Sequence, residues 1–253
     1  MNKIDSTEKV SSLTNALRML NLFTMDNPEQ SLNELANQLG VGLSTAYRLS
    51  NTLIQEGFLK KDPMTKNLRL SSKILPLGQL IITSYTINEV SPPILEKLVK
   101  DTGETVHLST IEGNHSIFLA VYECQNYVNV RSHVGKKSPI HSMSAGQTIL
   151  AYQSETRINE VIENHLPKYT KTTITDPIKL KERLNFIRKN GYTINYEEMD
   201  KGVSAICAPI INSRGKVNYA VSIAGPSSRI NSSTSPKLVK LVVQAAKELS
   251  KMV

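Results

Sequence analysis

Apolar residues recur with helical spacing in the segment Ser31–Leu39. Ser31 is a candidate N-cap and Glu34 follows three residues later, which is the spacing of a capping box. Gly40 is a typical end for such a helix. The pattern places one apolar stripe on the inward side of this helix: Leu32, Leu35, Ala36 and Leu39.

A second amphipathic run begins at Ser44, after the short turn Gly40–Leu43. The residues expected to face inward are Ala46, Leu49, Leu53 and Ile54. The residues expected to face solvent are Ser44, Thr45, Tyr47, Arg48, Asn51 and Thr52. Two short helices joined by a glycine-containing turn are typical of a helix-turn-helix, whose second helix enters the DNA major groove. A helical hairpin that merely packs against the rest of the chain gives the same spacing.

A β-hairpin signal follows, because Phe58–Asp62 and Asn67–Leu70 flank the turn Pro63–Lys66. A hairpin in this position predicts a wing. In a winged helix-turn-helix the second helix reaches base edges, whereas basic side chains of the wing contact phosphates. The basic residues expected to do so are Lys60, Lys61, Lys66 and Arg69.

The segments around this unit also have helical patterns. Leu13–Phe23 predicts a first helix that packs under the other two, through Leu13, Ala16, Leu17, Leu20 and Phe23. Leu75–Asn88 predicts a linker helix starting near Pro76, with apolar surface for a second copy. The same segment also reads as the first helix of a C-terminal domain. We expect a winged helix-turn-helix domain at 1–72, a linker helix at 73–90 and a C-terminal domain at 91–253.

The C-terminal part mixes strand and helix patterns. Its predicted strands are Thr105–Ile111, Ser116–Glu123, Tyr127–Val134, Gly202–Ile211 and Lys216–Ala224. Its predicted helices are Ile94–Asp101, Ser144–Gln153, Thr156–Leu166, Asp176–Asn190 and Ser235–Met252. This order predicts an α+β domain, with helices on the faces of a sheet. The fold class is therefore an α/β two-domain protein with a helix-turn-helix, a linker helix and an α+β domain.

Composition narrows the functional classes. The chain has 253 residues, which favours two domains. It has no apolar run long enough to span a bilayer, and the polar N-terminus does not resemble a signal peptide, so we expect a cytoplasmic protein without a membrane partner. Cys124 and Cys207 lie far apart, which indicates neither a disulfide framework nor a zinc site.

The net charge of +8 is not concentrated on the predicted DNA-binding domain. Residues 1–71 hold eight Lys and Arg against seven Asp and Glu, whereas residues 72–253 hold 22 against 15. Each phosphate contact adds a salt-dependent contribution to affinity, so one copy with this modest basic face should bind weakly. Dimerisation would then be required for tight binding.

No residue pattern indicates an enzyme. His141, Ser142 and Ser144 are close in sequence, but the G-x-S-x-G elbow is absent and adjacency does not assemble a triad. The histidines lack HxH or HExxH spacing, which argues against a metal site. We expect no catalytic residue, no metal and no cofactor, and we interpret His141 as a hydrogen-bonded structural residue and one of Glu197 and Glu198 as a structural acceptor.

Two longer motifs identify a family. PIHSMSAGQTILAY (Pro139–Tyr152) resembles the element "LPLHATAAGKALLA" of IclR-type transcriptional regulators, and Gly191–Ile230 resembles their long C-terminal signature. LTNALRMLNLF and GLSTAYRLSNTLIQEGFL are similar to the DNA-binding domain of the same family. The resemblance covers nearly the whole chain.

The resemblance implies a GAF-like C-terminal domain that binds a small organic acid. It also implies a homodimer on an operator in double-stranded DNA, and in some members a tetramer. By motif position the ligand-binding residues would be Ser144, Ala145, Asn195, Ala205, Ser222 and Ala224. This chain departs from the family pattern at Asn195, Ala205 and Ala224, which argues against the small α-keto acids of other members.

Two alternatives remain open at this point. Met143–Gly146 offers backbone N–H groups and a hydroxyl to an anion at a helix start, but the alternative is that it only forms a tight strand-to-helix turn. The main functional hypothesis is a ligand-controlled DNA-binding regulator, and more specifically a repressor. The alternative is a small-molecule-binding or catalytic α+β protein whose N-terminal domain mediates protein contacts.

Overall fold

The computed structural model describes residues 11–125 and 132–253. The chain divides into two compact units, Met1–Ile81 and Ile82–Val253. No helix in the described ranges combines the length and apolarity needed to cross a membrane.

The N-terminal unit begins with three helices. They are α1 Ser12–Leu20, α2 Leu32–Leu39 and α3 Leu43–Gln55. The predicted capping box is confirmed, since the Ser31 N–H donates to Glu34 Oε2 (2.7 Å) and the Glu34 N–H donates to Ser31 Oγ (3.3 Å). Gly40 ends α2 with a left-handed φ of 66°, as its position predicted. The three helices share one core: Met19, Phe23, Leu35, Ala36, Ala46, Leu49, Leu53, Leu59 and Leu68.

The predicted inward face of α1 is confirmed for Ala16, Leu20 and Phe23, which lie in or against the core, but it is wrong for Leu13 and Leu17. Leu13 and Leu17 are 70% and 54% exposed, whereas Asn15 and Met19 are buried. Met19 also reaches the core, because the side of the helix that meets α2 and α3 is rotated away from Leu13 and Leu17. An apolar stripe shows that a helix has an apolar face but not which neighbour covers it.

The predicted wing is confirmed and has a third strand. Strands β2 (Leu59–Lys61) and β3 (Leu68–Leu70) form the hairpin, and β1 (Glu29–Gln30) adds to the other edge of β3. The Gln30 amide donates to Leu22 O (2.6 Å). This short strand before α2 carries no alternation signal and was missed.

Two helices occupy the predicted linker. They are α4 (Ile74–Ser84) and α5 (Ile87–Val90), and the division between the two units falls within α4. No residue of α4 is buried in the single chain.

One six-stranded antiparallel sheet organises the C-terminal unit, in the order β6-β5-β4-β9-β8-β7. Its strands are β4 Thr105–Glu112, β5 His115–Tyr122, β6 Lys137–Pro139, β7 Thr193–Tyr196, β8 Val203–Ile211 and β9 Val217–Pro226. The helices are α6 Pro92–Thr102, α7 Ser144–Leu150, α8 Glu155–Glu163, α9 Pro177–Asn190 and α10 Ser235–Ser250.

The two faces of this sheet have different partners, because side chains alternate between faces along each strand. One face packs against α6 and α10 around Leu108, Ile206 and Ile223. The opposite face carries His107, Cys207 and Ser222, which are paired in register across β4, β9 and β8. Helix α7 packs against β8 and β9 on this second face.

Several predicted elements differ in their bounds. Most of the predicted strand Tyr127–Val134 lies outside the described residues, and Ser132–Val134 is not strand. The short strands β6 and β7 were missed, because three or four residues carry little periodic signal. Helix α8 ends at Glu163, before the predicted end at Leu166.

Gly146→Ala should destabilise the C-terminal unit by about 1–3 kcal/mol, the usual cost of overpacking. A Cβ at position 146 would lie 2.4 Å from the Ile140 carbonyl oxygen, which is backbone and cannot move independently. Urea unfolding followed by circular dichroism measures the effect.

Gly78→Ala is the matched control, because Gly78 is also helical but no atom lies within 4 Å of the position that the added methyl group would take. It should be neutral or stabilising by about 0.5–1 kcal/mol. Equal stabilities for Gly146→Ala and wild type would contradict the close approach of α7 to Ile140.

Candidate functional site

The solvent face of α3 carries most of the side chains expected there. Ser44, Tyr47, Arg48 and Thr52 are exposed. Thr45 and Asn51, which were expected on the same face, are half-buried because they flank the inward row of the helix. The inward row is Ala46, Leu49, Ser50 and Leu53. The Arg48 guanidinium makes no hydrogen bond or ion pair with residues 11–125 or 132–253.

The tip of the wing is held by a local hydrogen-bond network. Asp62 Oδ1 accepts the N–H groups of Met64 (2.9 Å) and Thr65 (2.8 Å), and these bonds lower the pKa of the Asp62 carboxyl. Lys66 has a left-handed φ of 62°, and its ammonium donates to Pro63 O (2.6 Å). The basic residues of the wing are all exposed: Lys60, Lys61, Lys66 and Arg69. The turn therefore fixes the hairpin that carries these basic side chains, and this hairpin directly follows α3 along the chain.

A cavity of about 50 Å³ lies on the α7 face of the C-terminal sheet. Its lining residues are His107, Phe118, Ser132, Lys136, Ser142, Met143, Ser144, Asn195, Met199, Asp200, Val203, Ala205, Ser222 and Ala224. The space exists because the paired positions Ala205 and Ala224 and their neighbour Ser222 are small. One water needs about 10–15 Å³ on this measure, so the cavity holds a few water-sized groups. Larger molecules require movement of Met143 or Met199, which are flexible side chains.

Five of the six residues expected to bind ligand line this cavity: Ser144, Asn195, Ala205, Ser222 and Ala224. Ala145 does not line it, because its side chain points into a small core with Ile149 and Cys207. This difference follows from the helical geometry of α7, in which successive residues face different directions.

The Asn195 side chain forms hydrogen bonds with the protein backbone. Its amide donates to Ser142 O (3.0 Å), and its Oδ1 accepts the N–H of Glu198 (3.0 Å). An aspartate side chain at this position would lack the N–H that donates to Ser142 O. Asn195 therefore shapes the cavity wall through these two hydrogen bonds.

A buried carboxylate supports the same wall. Glu198 Oε2 accepts from the Gln147 amide (2.7 Å), and Oε1 accepts from the Arg183 guanidinium (3.0 Å). Burial raises the pKa of Glu198, and Arg183 and the hydrogen bonds counteract part of that effect. Glu198 is the structural acceptor of the pair, since Glu197 is more exposed.

Sequence reasoning missed the basic wall of the cavity. The His107 ring stacks on Phe118, with 4.3 Å between ring centroids, and its Nε2 lies 2.9 Å from Ser132 Oγ. Burial, and then the charge of Lys136, lower the pKa of His107 to about 3. The alternation within β4 places His107 and Thr105 on one face, but only the strand pairing shows that this face meets a cavity.

The residues considered for catalysis do not assemble. His141 is buried and its Nε2 lies 2.9 Å from Pro167 O, so it is hydrogen-bonded as expected, but it does not line the cavity. Burial lowers the pKa of His141. The Cys207 thiol is fully buried, which raises its pKa to about 12. Among the described residues no group of three potential metal-binding side chains occurs.

Two family models match the chain. Residues 12–63 match the IclR helix-turn-helix domain, and residues 79–251 match the model described as bacterial transcriptional regulator IclR C-terminal. The chain belongs to the IclR family. It is therefore a DNA-binding transcriptional regulator with a winged helix-turn-helix and a C-terminal effector-binding domain.

Relatives of this IclR-family chain match along most of its length. It is 30% identical to the transcriptional repressor IclR of Escherichia coli, covering 97% of this chain and 90% of that protein. A crystal structure of an IclR regulator from Alicyclobacillus acidocaldarius is 26% identical, with a TM-score of 0.80 and coverage of 96% and 99%. An IclR homologue from Microbacterium hydrocarbonoxydans, solved with 4-hydroxybenzoate, has the same fold at 24% identity, with a TM-score of 0.83 and coverage of 95% and 98%.

His107 should make this regulator lose stability as the pH falls from about 6.5 towards 3. The unfolded chain takes up the histidine proton near pH 6.5, whereas the folded chain does so only near pH 3. At pH 4.5 the difference amounts to about 2–3 kcal/mol. Urea unfolding of wild type and His107→Gln between pH 4.5 and 7.5 measures this loss. The free energy of unfolding should fall by about 2–3 kcal/mol less in the variant than in wild type.

His115→Gln is the control, because it removes an exposed histidine from the neighbouring strand. It should keep the wild-type profile. If His107→Gln loses as much stability at low pH as wild type, the His107 ring of the wild-type protein is not kept neutral by its surroundings.

Proposed function

We propose that this IclR-family chain is a transcriptional repressor that binds a DNA operator as a homodimer and responds to a small organic acid in its C-terminal cavity. The exposed Arg48 guanidinium on α3, which has no partner within the described part of the chain, is the observation that carries the DNA-binding part. The protein acts in the cytoplasm, without a cofactor and without catalysis of its own. The relatives named above are regulators, which favours this function over the catalytic alternative.

The DNA contacts divide between α3 and the wing. Side chains on α3 reach base edges in the major groove: Ser44, Thr45, Tyr47, Arg48 and Asn51. Basic side chains of the wing contact phosphates: Lys60, Lys61, Lys66 and Arg69. The half-buried Thr45 and Asn51 contribute at the edges of the contact.

Exposed apolar residues support the homodimer. Leu75, Leu77, Leu80 and Ile81 of α4 are 50% to 71% exposed in the single chain. Several large apolar side chains exposed on one short helix favour a protein contact there. The linker segment 73–90 would therefore join two copies, with domains at 1–72 and 91–253, and a further pairing of dimers would give a tetramer. The two helix-turn-helix domains of such a dimer contact half-sites about 10 base pairs apart, or multiples of that distance.

The cavity determines the size of the effector. Its volume suits an acid of a few heavy atoms, bound near Ser144, Ser222 and the small side chains of Ala205 and Ala224. Asn195 would position the wall through its hydrogen bonds to Ser142 and Glu198. The 4-hydroxybenzoate complex belongs to a distant homologue, and that acid would need Met143 or Met199 to move.

Arg48→Ala should weaken operator binding by about 1–3 kcal/mol if the guanidinium contacts a base edge. The measurement is an electrophoretic shift with DNA from upstream of the gene itself and with a scrambled duplex. Lys240→Ala, an exposed cation in the C-terminal unit, is the charge-matched control and should bind normally. An equal loss on both duplexes would make Arg48 a phosphate contact, and no binding by wild type at any salt concentration would refute the proposed function.

Ser222→Phe should abolish ligand-induced stabilisation, because the phenyl ring would fill the cavity that Ser222 lines. A thermal-shift screen of acetate, propionate, succinate and 4-hydroxybenzoate identifies the acid that stabilises the wild-type chain. Ser228→Phe adds the same ring at an exposed position outside the cavity and should respond like wild type. A persisting shift in Ser222→Phe would place the effector elsewhere.

A further inference from the structure

One wall of the effector cavity is basic and has an unused ring nitrogen. The His107 side chain is almost completely buried, and its Nε2 lies beside Ser132. The other ring nitrogen, Nδ1, has no hydrogen-bond partner among residues 11–125 and 132–253. Because His107 lines the cavity, this nitrogen is suited to a hydrogen bond with a ligand that enters it.

Among the lining residues that the structure describes, the charges that face this ring nearly cancel before a ligand enters. Lys136 lies on the β6 side of the cavity, and Asp200 lies at its exposed rim after β7. The remaining described lining residues, from β4, β5, β8, β9 and α7, carry no charge apart from His107 itself. A carboxylate that enters alone would therefore add one negative charge that these described residues do not compensate, in a space that excludes most water.

Resting on the proposed effector site, we propose that the cavity takes up a small monocarboxylate together with one proton, and that His107 holds this proton. The proton comes from solvent and binds the ring nitrogen that lacks one. Both ring N–H groups then donate hydrogen bonds, one towards Ser132 and the other towards the carboxylate. The bound pair of acid and proton adds no net charge to the cavity.

The low pKa of His107 in the empty cavity agrees with this coupling. The ring is neutral at neutral pH, because burial and Lys136 both disfavour its charged form. A carboxylate beside it favours the charged form, so the pKa rises when the acid binds. Between the pKa of the empty state and that of the occupied state, affinity should fall up to tenfold for each unit of rising pH.

Isothermal titration of the full chain with propionate tests this inference. Titrations at pH 5.5, 6.5 and 7.5, each in two buffers of different ionisation enthalpy, give the affinity and the number of protons taken up. Wild type should take up close to one proton for each propionate and bind several-fold more weakly at each higher pH. Succinate, which carries a second charge, should bind more weakly than propionate at pH 7.5.

His107→Gln keeps a hydrogen-bond donor but cannot hold the proton, so its propionate binding should lose both the proton uptake and the pH dependence. His115→Gln should behave like wild type. If His107→Gln does not fold, the wild-type buffer comparison alone decides. Propionate binding without proton uptake would overturn this inference and leave the effector cavity in place, whereas no binding of any tested carboxylate would overturn both.

Discussion

The buried carboxylate of Glu198 holds together the parts of the C-terminal unit that form the cavity. Gln147 reaches it from α7 and Arg183 from α9, while its own backbone N–H donates to Asn195 on β7. A carboxylate removed from water is stable only when several donors surround it. This requirement fixes the positions of α7, α9 and the end of β7 relative to one another. The cavity is the space left between these elements and the small residues of β8 and β9.

The N-terminal unit depends on local signals, and these were readable in the sequence. Ser31, Glu34 and Gly40 determine where α2 begins and ends, because each acts on backbone groups within one turn. The rotation of α1 was not readable, since it depends on which side of the helix the core of α2 and α3 accepts. Leu13 and Leu17 remain exposed as a result, although their spacing alone marks them as the apolar face.

The cavity on the α7 face of the C-terminal sheet was only partly predictable for a similar reason. Motif positions located Ser144 and Ser222, which lie at the start of a helix and on a central strand. His107, Phe118 and Lys136 come from segments more than 80 residues away from Ser222 in sequence, and no local pattern brings them together. The pairing of β4 with β9 creates that wall, and its consequences for charge become visible only when the register is known.

Cys207 is paired in the sheet with Ser222, which lines the cavity. Its thiol is fully buried and remains protonated far above neutral pH. Peroxides and alkylating agents attack thiolates much faster than thiols. The Cys207 thiol is therefore protected from oxidation and alkylation, although it lies within the central sheet of the C-terminal unit.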